Sequence, residues 1–259
     1  MRDLRVTIVQ SMLHWEDAGA NRDMFAEKLN VLKGSTDLVV LPEMFTTGFT
    51  MRSAELAEQA DGPTVQWMRE RARTLGAALY GSVVILDEGL YKNRGLFVAP
   101  DGQVTIYDKR HLFRFANEDE YYSPGRERVV VEWRGWRLLL QVCFDLRFPV
   151  FSRNRGDLDA ILYVANWPEA RKYPWSQLLI ARAIENQCYV VGLNRVGMDG
   201  KGIHYSGDSV VLDARGEVLA AIGLNTEGIS TADLAAGALK DFREKFPVQL
   251  DADEFELKL

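Results

Sequence analysis

Short runs in which every successive residue is apolar constrain this chain more than any other feature. Residues 38–41 read LVVL and residues 161–165 read ILYVA, each followed by proline or a polar residue. A strand with one wet face alternates apolar and polar side chains, so an unbroken run predicts a strand covered on both faces. Such runs alternate with amphipathic stretches along most of the length, the pattern of successive β–α units. Strands are predicted at 5–10, 38–41, 78–86, 90–98, 104–107, 129–133, 137–142, 160–164, 189–194, 206–212 and 218–222. Helices are predicted at 20–32, 63–75, 175–186 and 235–246, the second opening on Pro63, whose missing N–H costs nothing in a first helical turn. The segment SGDSVVLDARGEVLAAIG reads as a hairpin turning at Ala214, Arg215 and Gly216, so the architecture is mixed rather than purely parallel.

With 259 residues, 47% of them apolar and 26% charged, the composition is that of an ordinary globular protein with a full core. No Gly/Ser/Pro-rich linker, internal repeat or low-complexity tract divides the chain. This predicts one domain over residues 1–259, ending from about residue 247 in an acidic tail, DADEFELKL, that is solvated or docks on a neighbour. A net charge of −6 is the reverse of what a nucleic-acid surface or an anionic membrane selects, so neither partner is expected. No apolar run is long enough to span a bilayer. The segment VTIVQ follows MRDLR directly, which predicts a first strand and no secretory leader. Two cysteines and three histidines show no metal-ligand spacing, so a reduced cytoplasmic setting without a metal is the expectation.

In α/β sheets, reactive groups gather just beyond the carboxyl ends of strands, where loops vary while the sheet holds their roots. Four predicted strands run directly into Glu43, Lys109, Cys143 and Asn166. Cys143 at a strand-to-loop elbow suits a nucleophile, with the backbone N–H of Phe144 near enough to serve an oxyanion; the competing reading is a buried structural cysteine. For Cys188, between a helix end and an apolar strand, the structural reading is the better one. A thiol titrating near ~8.5 needs a base. His111 and Glu43 both offer one, and a carboxylate desolvated at a strand end is a competent acceptor. Lys109 places an ammonium where negative charge would develop on a carbonyl oxygen.

LPEMFTTGF around Glu43, YDKRHLF around Lys109 and QVCFDLRFP around Cys143 resemble, in order and separation, the motifs of the nitrilase (carbon–nitrogen hydrolase) superfamily. NEDEYYSPG, ANWP, ARAIENQCYVVGLNRVG and YSGDS extend the likeness over nearly the whole chain, and several are most similar to the omega-amidase branch. The resemblance implies a four-layer αββα sandwich, two stacked mixed β-sheets flanked by helices, in subunits that commonly dimerise through their helical faces. It implies Cys143 as nucleophile, Glu43 as base and Lys109 with the Phe144 N–H as oxyanion hole, which leaves His111 to bond the surrounding loops. A second glutamate is implied at Glu118, with Glu120 as the alternative register.

No cofactor is implied. The branch implies hydrolysis of the side-chain amide of small 2-oxoacids such as 2-oxoglutaramate and 2-oxosuccinamate. The same three residues also serve nitrilases, N-carbamoyl amidohydrolases and aliphatic amidases, and a catalytically idle binding module of the fold is the non-enzyme alternative. A 2-oxoacid carboxylate calls for a guanidinium. Arg171 is the candidate, with Asn166 and Trp167 beside it; Arg147, two residues after Asp145, reads as a structural ion pair, and Arg195 lies in another matched segment.

Overall fold

The computed structural model describes residues 1–258. Its strands are β1 (Leu4–Gln10), β2 (Leu38–Val40), β3 (Glu58–Gln59), β4 (Ala78–Asp87), β5 (Leu90–Val98), β6 (Val104–Asp108), β7 (Val130–Trp133), β8 (Trp136–Val142), β9 (Ala160–Ala165), β10 (Tyr189–Asn194), β11 (Val196–Met198), β12 (His204–Ser206), β13 (Val210–Leu212), β14 (Val218–Ala221) and β15 (Gly228–Leu234). The helices are α1 (Ala18–Leu29), α2 (Ser53–Leu56), α3 (Pro63–Leu75), α4 (Glu118–Tyr121), α5 (Pro149–Ser152), α6 (Lys172–Asn186) and α7 (Ala236–Lys245).

Two mixed sheets carry the fold, one in the order β15-β1-β2-β4-β5-β6 with β3 beside β4, the other in the order β14-β13-β10-β9-β8-β7. Each has a parallel centre, β1-β2-β4 in the first and β8-β9-β10 in the second, with antiparallel strands outside it apart from the short β3, which pairs parallel with β4. The side-chain period of two then assigns the faces. Val6, Ile8, Leu38, Val40 and Tyr80 of the first sheet join Leu138, Leu140, Val142 and Ala160 of the second in one core, while Val9, Val39, Leu41 and Leu79 turn outward onto Phe25 and Leu29 of α1 and Met68 and Ala72 of α3. On the far side, Trp175, Leu179 and Ala183 of α6 cover the second sheet. Gly192 in β10 permits that cover, because a Cβ there would lie 2.4 Å from Leu179 Cδ1. The result is the expected helix–sheet–sheet–helix sandwich. No helix among the described residues is long and apolar enough to cross a membrane.

Local signals explain most boundaries. Asp17 caps α1 by accepting from the Ala20 N–H at 2.9 Å, and Gly76, at φ 68°, ends α3 in the left-handed conformation that glycine takes without strain. The strand expected at 206–212 is two strands instead, broken where Gly207 and Asp208 both adopt positive φ. Helix α6 starts three residues before its predicted position because Pro174 is tolerated in its first turn. Strand β15 escapes prediction: GISTADL has few large apolar residues, yet it pairs antiparallel with the whole of β1. Leu257 packs against the core and the Arg155 guanidinium lies 4.8 Å from the Phe255 ring centroid; Leu259 is outside the described residues.

Asp159, at the entry to β9, ties three elements together. It accepts from the Arg137 backbone N–H at 3.1 Å, from Arg137 Nη2 at 2.8 Å and from Arg243 Nη1 of α7 at 2.8 Å. Burial works against its charge, but the hydrogen bonds from Arg137 and Arg243 prevail and hold its pKa below the ordinary aspartate value. A depressed folded-state pKa contributes stability that is present above the unfolded value of about 3.9 and is lost as pH falls through the folded one. Asp159→Asn is therefore expected to lower unfolding free energy by about 1–3 kcal/mol at pH 7, with the gap to wild type closing below about pH 4, measured by urea denaturation across pH.

Candidate active site

The site is assembled from loop roots on both sheets. Strand β2 continues through Leu41 and Pro42 into Glu43, and the turn that follows is fixed by Ser82 of β4, whose Oγ accepts from the Met44 N–H at 2.8 Å and whose carbonyl accepts from Phe45 at 3.1 Å. Strand β6 leads into Lys109, whose N–H donates to the Asn93 carbonyl at 3.0 Å. Strand β8 leads into Cys143, which adopts φ 48°, a left-handed conformation that costs energy in a non-glycine residue. Asp145 stabilises that elbow. Its Oδ2 accepts from the Val142 N–H at 2.9 Å and the Tyr107 hydroxyl at 2.7 Å, and its Oδ1 accepts from the His111 N–H at 3.0 Å.

Glu43, Lys109 and Glu118 form a buried ionic cluster. Lys109 Nζ lies 2.8 Å from Glu43 Oε1 and 2.9 Å from Glu118 Oε2, and all three side chains are withdrawn from solvent. Asn93 of β5 bridges the two carboxylates, its Nδ2 donating to Glu43 Oε1 at 2.8 Å and to Glu118 Oε1 at 3.1 Å. The remaining carboxylate oxygens are also held, Glu43 Oε2 by the Asn166 N–H at 2.8 Å and Glu118 Oε2 by the Phe113 N–H at 2.6 Å. The electrostatics follow from this packing. Burial opposes the charge on Lys109, but Glu118 and then Glu43 outweigh it, and its pKa rises above the usual lysine value. Burial also raises the Glu118 pKa from its ordinary value, with Lys109 pulling the other way. The Cys143 thiol is pushed well up, first by burial, then by the charge of Glu43, against the opposing pull of Lys109.

A cleft opens above Cys143 and Lys109. Phe49, Phe113, Phe144, Trp167, Ile203 and Tyr205 wall it, with Asn166, Arg147 and Arg171 also on its lining. Among residues singled out in the sequence, the structure brings Glu43, Lys109, Glu118, Cys143, Phe144, Asn166, Trp167 and Arg171 to this one place. Phe144 lies in the first turn of the 3₁₀ helix Cys143–Arg147, so its N–H has no acceptor within that helix. Glu120 is exposed, which leaves Glu118 as the glutamate on Lys109. His111 is directed to Asp145, with Nδ1 2.7 Å from Oδ1 and its ring stacked on Phe148. Cys188 is buried and does not line the cleft.

Arg147 corrects its sequence reading. Asp145 is already occupied by Tyr107, His111 and Val142, and the Arg147 guanidinium sits 5.4 Å from the Trp167 ring centroid on the cleft wall, in no ion pair among the described residues. Arg195 is wholly buried under Tyr205, 4.7 Å from its ring centroid, and does not line the cleft. Asn93, Ser82 and Asp145 were not foreseen as parts of the site. For Asn93 a signal existed, the polar run Lys92-Asn93-Arg94 interrupting a strand that ends GLFV.

The carbon-nitrogen hydrolase family model matches residues 5–244. The chain belongs to the carbon-nitrogen hydrolase family. It is 50% identical over 257 residues to the omega-amidase YafV of Escherichia coli (strain K12), covering 99% of this chain and 100% of the relative. It is 35% identical over 217 residues to the 2-oxoglutaramate amidase of Bacillus subtilis (strain 168), covering 82% of this chain and 83% of that one. The crystal structure of XC1258 from Xanthomonas campestris, a CN-hydrolase superfamily protein with an arsenic adduct in its active site, superimposes with a TM-score of 0.97 at 50% identity over 100% of both chains. This carbon-nitrogen hydrolase is an enzyme that cleaves carbon–nitrogen bonds in a small-molecule amide. In such an enzyme Asn93 orients both glutamates, and displacing a reacting group by about 1 Å costs about 100-fold in rate. Asn93→Ala is expected to lower kcat by about 10- to 100-fold with KM changed less than about threefold, measured by ammonia release.

Proposed function

We propose that this hydrolase is an omega-amidase that converts 2-oxoglutaramate and 2-oxosuccinamate to the 2-oxodicarboxylate and ammonia, with Cys143 as nucleophile, Glu43 as acid–base group and Lys109 as electrostatic stabiliser. Because the thiol of Cys143 is held well above its ordinary pKa, its proton leaves for Glu43 as Sγ attacks the amide carbon, rather than beforehand. The C–S bond forms as the carbonyl π pair moves onto oxygen, where Lys109 Nζ and the Phe144 N–H receive the negative charge. Collapse breaks the C–N bond, and Glu43 passes its proton to the departing nitrogen, releasing ammonia. Glu43 then takes a proton from a water whose oxygen attacks the thioester carbon; collapse breaks the C–S bond, releases the carboxylic acid and lets Glu43 return the proton to Sγ. Glu118, sharing Lys109 with Glu43, keeps the ammonium in place through the cycle.

The observation that carries the substrate assignment is the pair Arg147 and Arg171. Arg171 lies 5.1 Å from the Phe113 ring centroid, and neither guanidinium is paired with a carboxylate among the described residues. Two uncompensated cations on the lining of one cleft, in a chain of net charge −6, suit a substrate that carries its own carboxylate. A simple nitrile or aliphatic amide has no such group. The names of the Escherichia coli and Bacillus subtilis relatives support the same class. An idle binding module would have no use for a fully connected Glu43–Lys109–Glu118 cluster at the foot of the cleft.

The same reading places the enzyme in the cytoplasm as a homodimer, supported by two free buried cysteines and by Tyr173 and Ile184, which α6 leaves exposed. Ammonia release from 2-oxoglutaramate, compared with a nitrile, an N-carbamoyl amino acid and an aliphatic amide, tests the assignment. Turnover is expected for the 2-oxoacid amide and is lost in Cys143→Ala; preference for any other substrate in the panel would overturn the assignment. Arg171→Met is expected to raise KM for 2-oxoglutaramate about 10- to 100-fold with kcat nearly kept, as loss of one charge-assisted hydrogen bond requires.

A further inference from the structure

Asn166 is held in one orientation by a bond that leaves its other polar atom alone. Its Nδ2 donates to the Glu43 carbonyl at 2.6 Å, and the reversed amide would set oxygen against oxygen there, so the assignment of Oδ1 is fixed. Asn166 Oδ1 is buried and has no hydrogen-bond partner, although an unsatisfied buried acceptor is uncommon and costly. The residue is 4% exposed, lines the cleft, and has its backbone carbonyl 4.0 Å from Cys143 Sγ. Everything else near Glu43 is spoken for. Both Glu43 carboxylate oxygens already accept hydrogen bonds, and the Asn93 amide spans two carboxylates.

We propose that Asn166 Oδ1 accepts a hydrogen bond from the amino group of the scissile amide, making Asn166 a catalytic residue that selects a primary carboxamide over an ester. The inference rests on the amidase reading above. In the ground state the nitrogen is planar and its N–H bonds are conjugated with the carbonyl. As Sγ adds, that conjugation is lost, the nitrogen becomes pyramidal, and it takes the proton from Glu43 before the C–N bond breaks. The N–H groups carry more positive charge at that stage, so the bond to Oδ1 strengthens on the way to the transition state and aligns the nitrogen lone pair with the Glu43 proton. An ester places an alkoxy oxygen at the same point and offers Oδ1 no donor.

The test uses 2-oxoglutaramate and the 5-monomethyl ester of 2-oxoglutarate, which share their carboxylate and differ in the leaving group. Asn166→Ala also releases Glu43, so kcat/KM falls for both substrates. The quantity that decides is the amide-to-ester ratio of kcat/KM, which is expected to fall about tenfold in Asn166→Ala, the effect of one hydrogen bond. Asn166→Asp, which keeps an oxygen acceptor of the same shape, is expected to lower both rates while holding the ratio near the wild-type value. An unchanged ratio in Asn166→Ala would show that the side chain only positions Glu43, and would overturn the proposal. Should Asn166→Ala not fold, as judged by circular dichroism, Asn166→Leu supplies the same comparison. A wild-type enzyme that turned over the ester but not the amide would overturn the amidase reading itself.

Discussion

One ammonium, that of Lys109, is shared between two carboxylates beyond the reach of water, and the rest of the site depends on that arrangement. Burying an ion costs several kcal/mol after relaxation, and the attraction between partners offsets this only when every remaining lone pair is satisfied. Here the condition is met by groups from separate elements: the Asn93 side chain on β5, the Phe113 N–H ahead of α4 and the Asn166 N–H after β9. Removing any one leaves a carboxylate oxygen short of a donor in a low-dielectric pocket. The cluster is therefore rigid because it is buried. The same burial that makes it costly also makes it strong, since a fixed ammonium stabilises developing charge without reorganising water.

That requirement explains why two sheets are stacked. Glu43 and Lys109 leave the ends of β2 and β6 in one sheet, and Cys143 and Asn166 leave the ends of β8 and β9 in the other, so reactive alignment is a matter of how the sheets are registered. Two tyrosines fix the register across the interface. The Tyr80 hydroxyl on β4 donates to the Gln141 carbonyl on β8 at 2.9 Å, and the Tyr107 hydroxyl on β6 donates to Asp145 Oδ2 at 2.7 Å. Both hydroxyls are buried and their pKa values are raised well above the ordinary tyrosine value, chiefly by desolvation, so each remains a donor. Asp145 then transmits the position of β6 to the Cys143 elbow through the Val142 N–H.

The sequence is legible where one side chain announces its own role. A glutamate, a lysine and a cysteine that each end an apolar strand stand out against their surroundings, and unbroken apolar runs reveal sheets covered on both faces. The polar run around Asn93 marks an unusual strand position, but the role of Asn93 and that of Arg147 are illegible for different reasons. Asn93 matters only through two partners 50 and 25 positions away, a relation that no local pattern encodes. Arg147 sits near an aspartate and invites pairing with it, but Asp145 is already satisfied by Tyr107, His111 and Val142. The broken strand at 206–212 and the missed β15 follow the same rule, because positive φ at Asp208 and pairing with β1 are decided by tertiary contacts rather than by propensity.

Under the proposed function, the charge layout orders the substrate in the cleft. The foot sets Glu43 and Glu118 around one ammonium, so a substrate carboxylate directed inward faces two acidic side chains. The walls carry Arg147 and Arg171, each against an aromatic face and neither neutralised. A molecule with a carboxylate at one end and a carboxamide at the other can lower its energy in only one direction, amide toward Cys143 and carboxylate toward the arginines. Orientation thus comes from opposite electrostatics along the cleft rather than from shape alone. The product carries a second carboxylate at the reacting end, where the same two glutamates oppose it. Under the same proposal, the field that admits the amide in one orientation also favours departure of the dicarboxylate that replaces it.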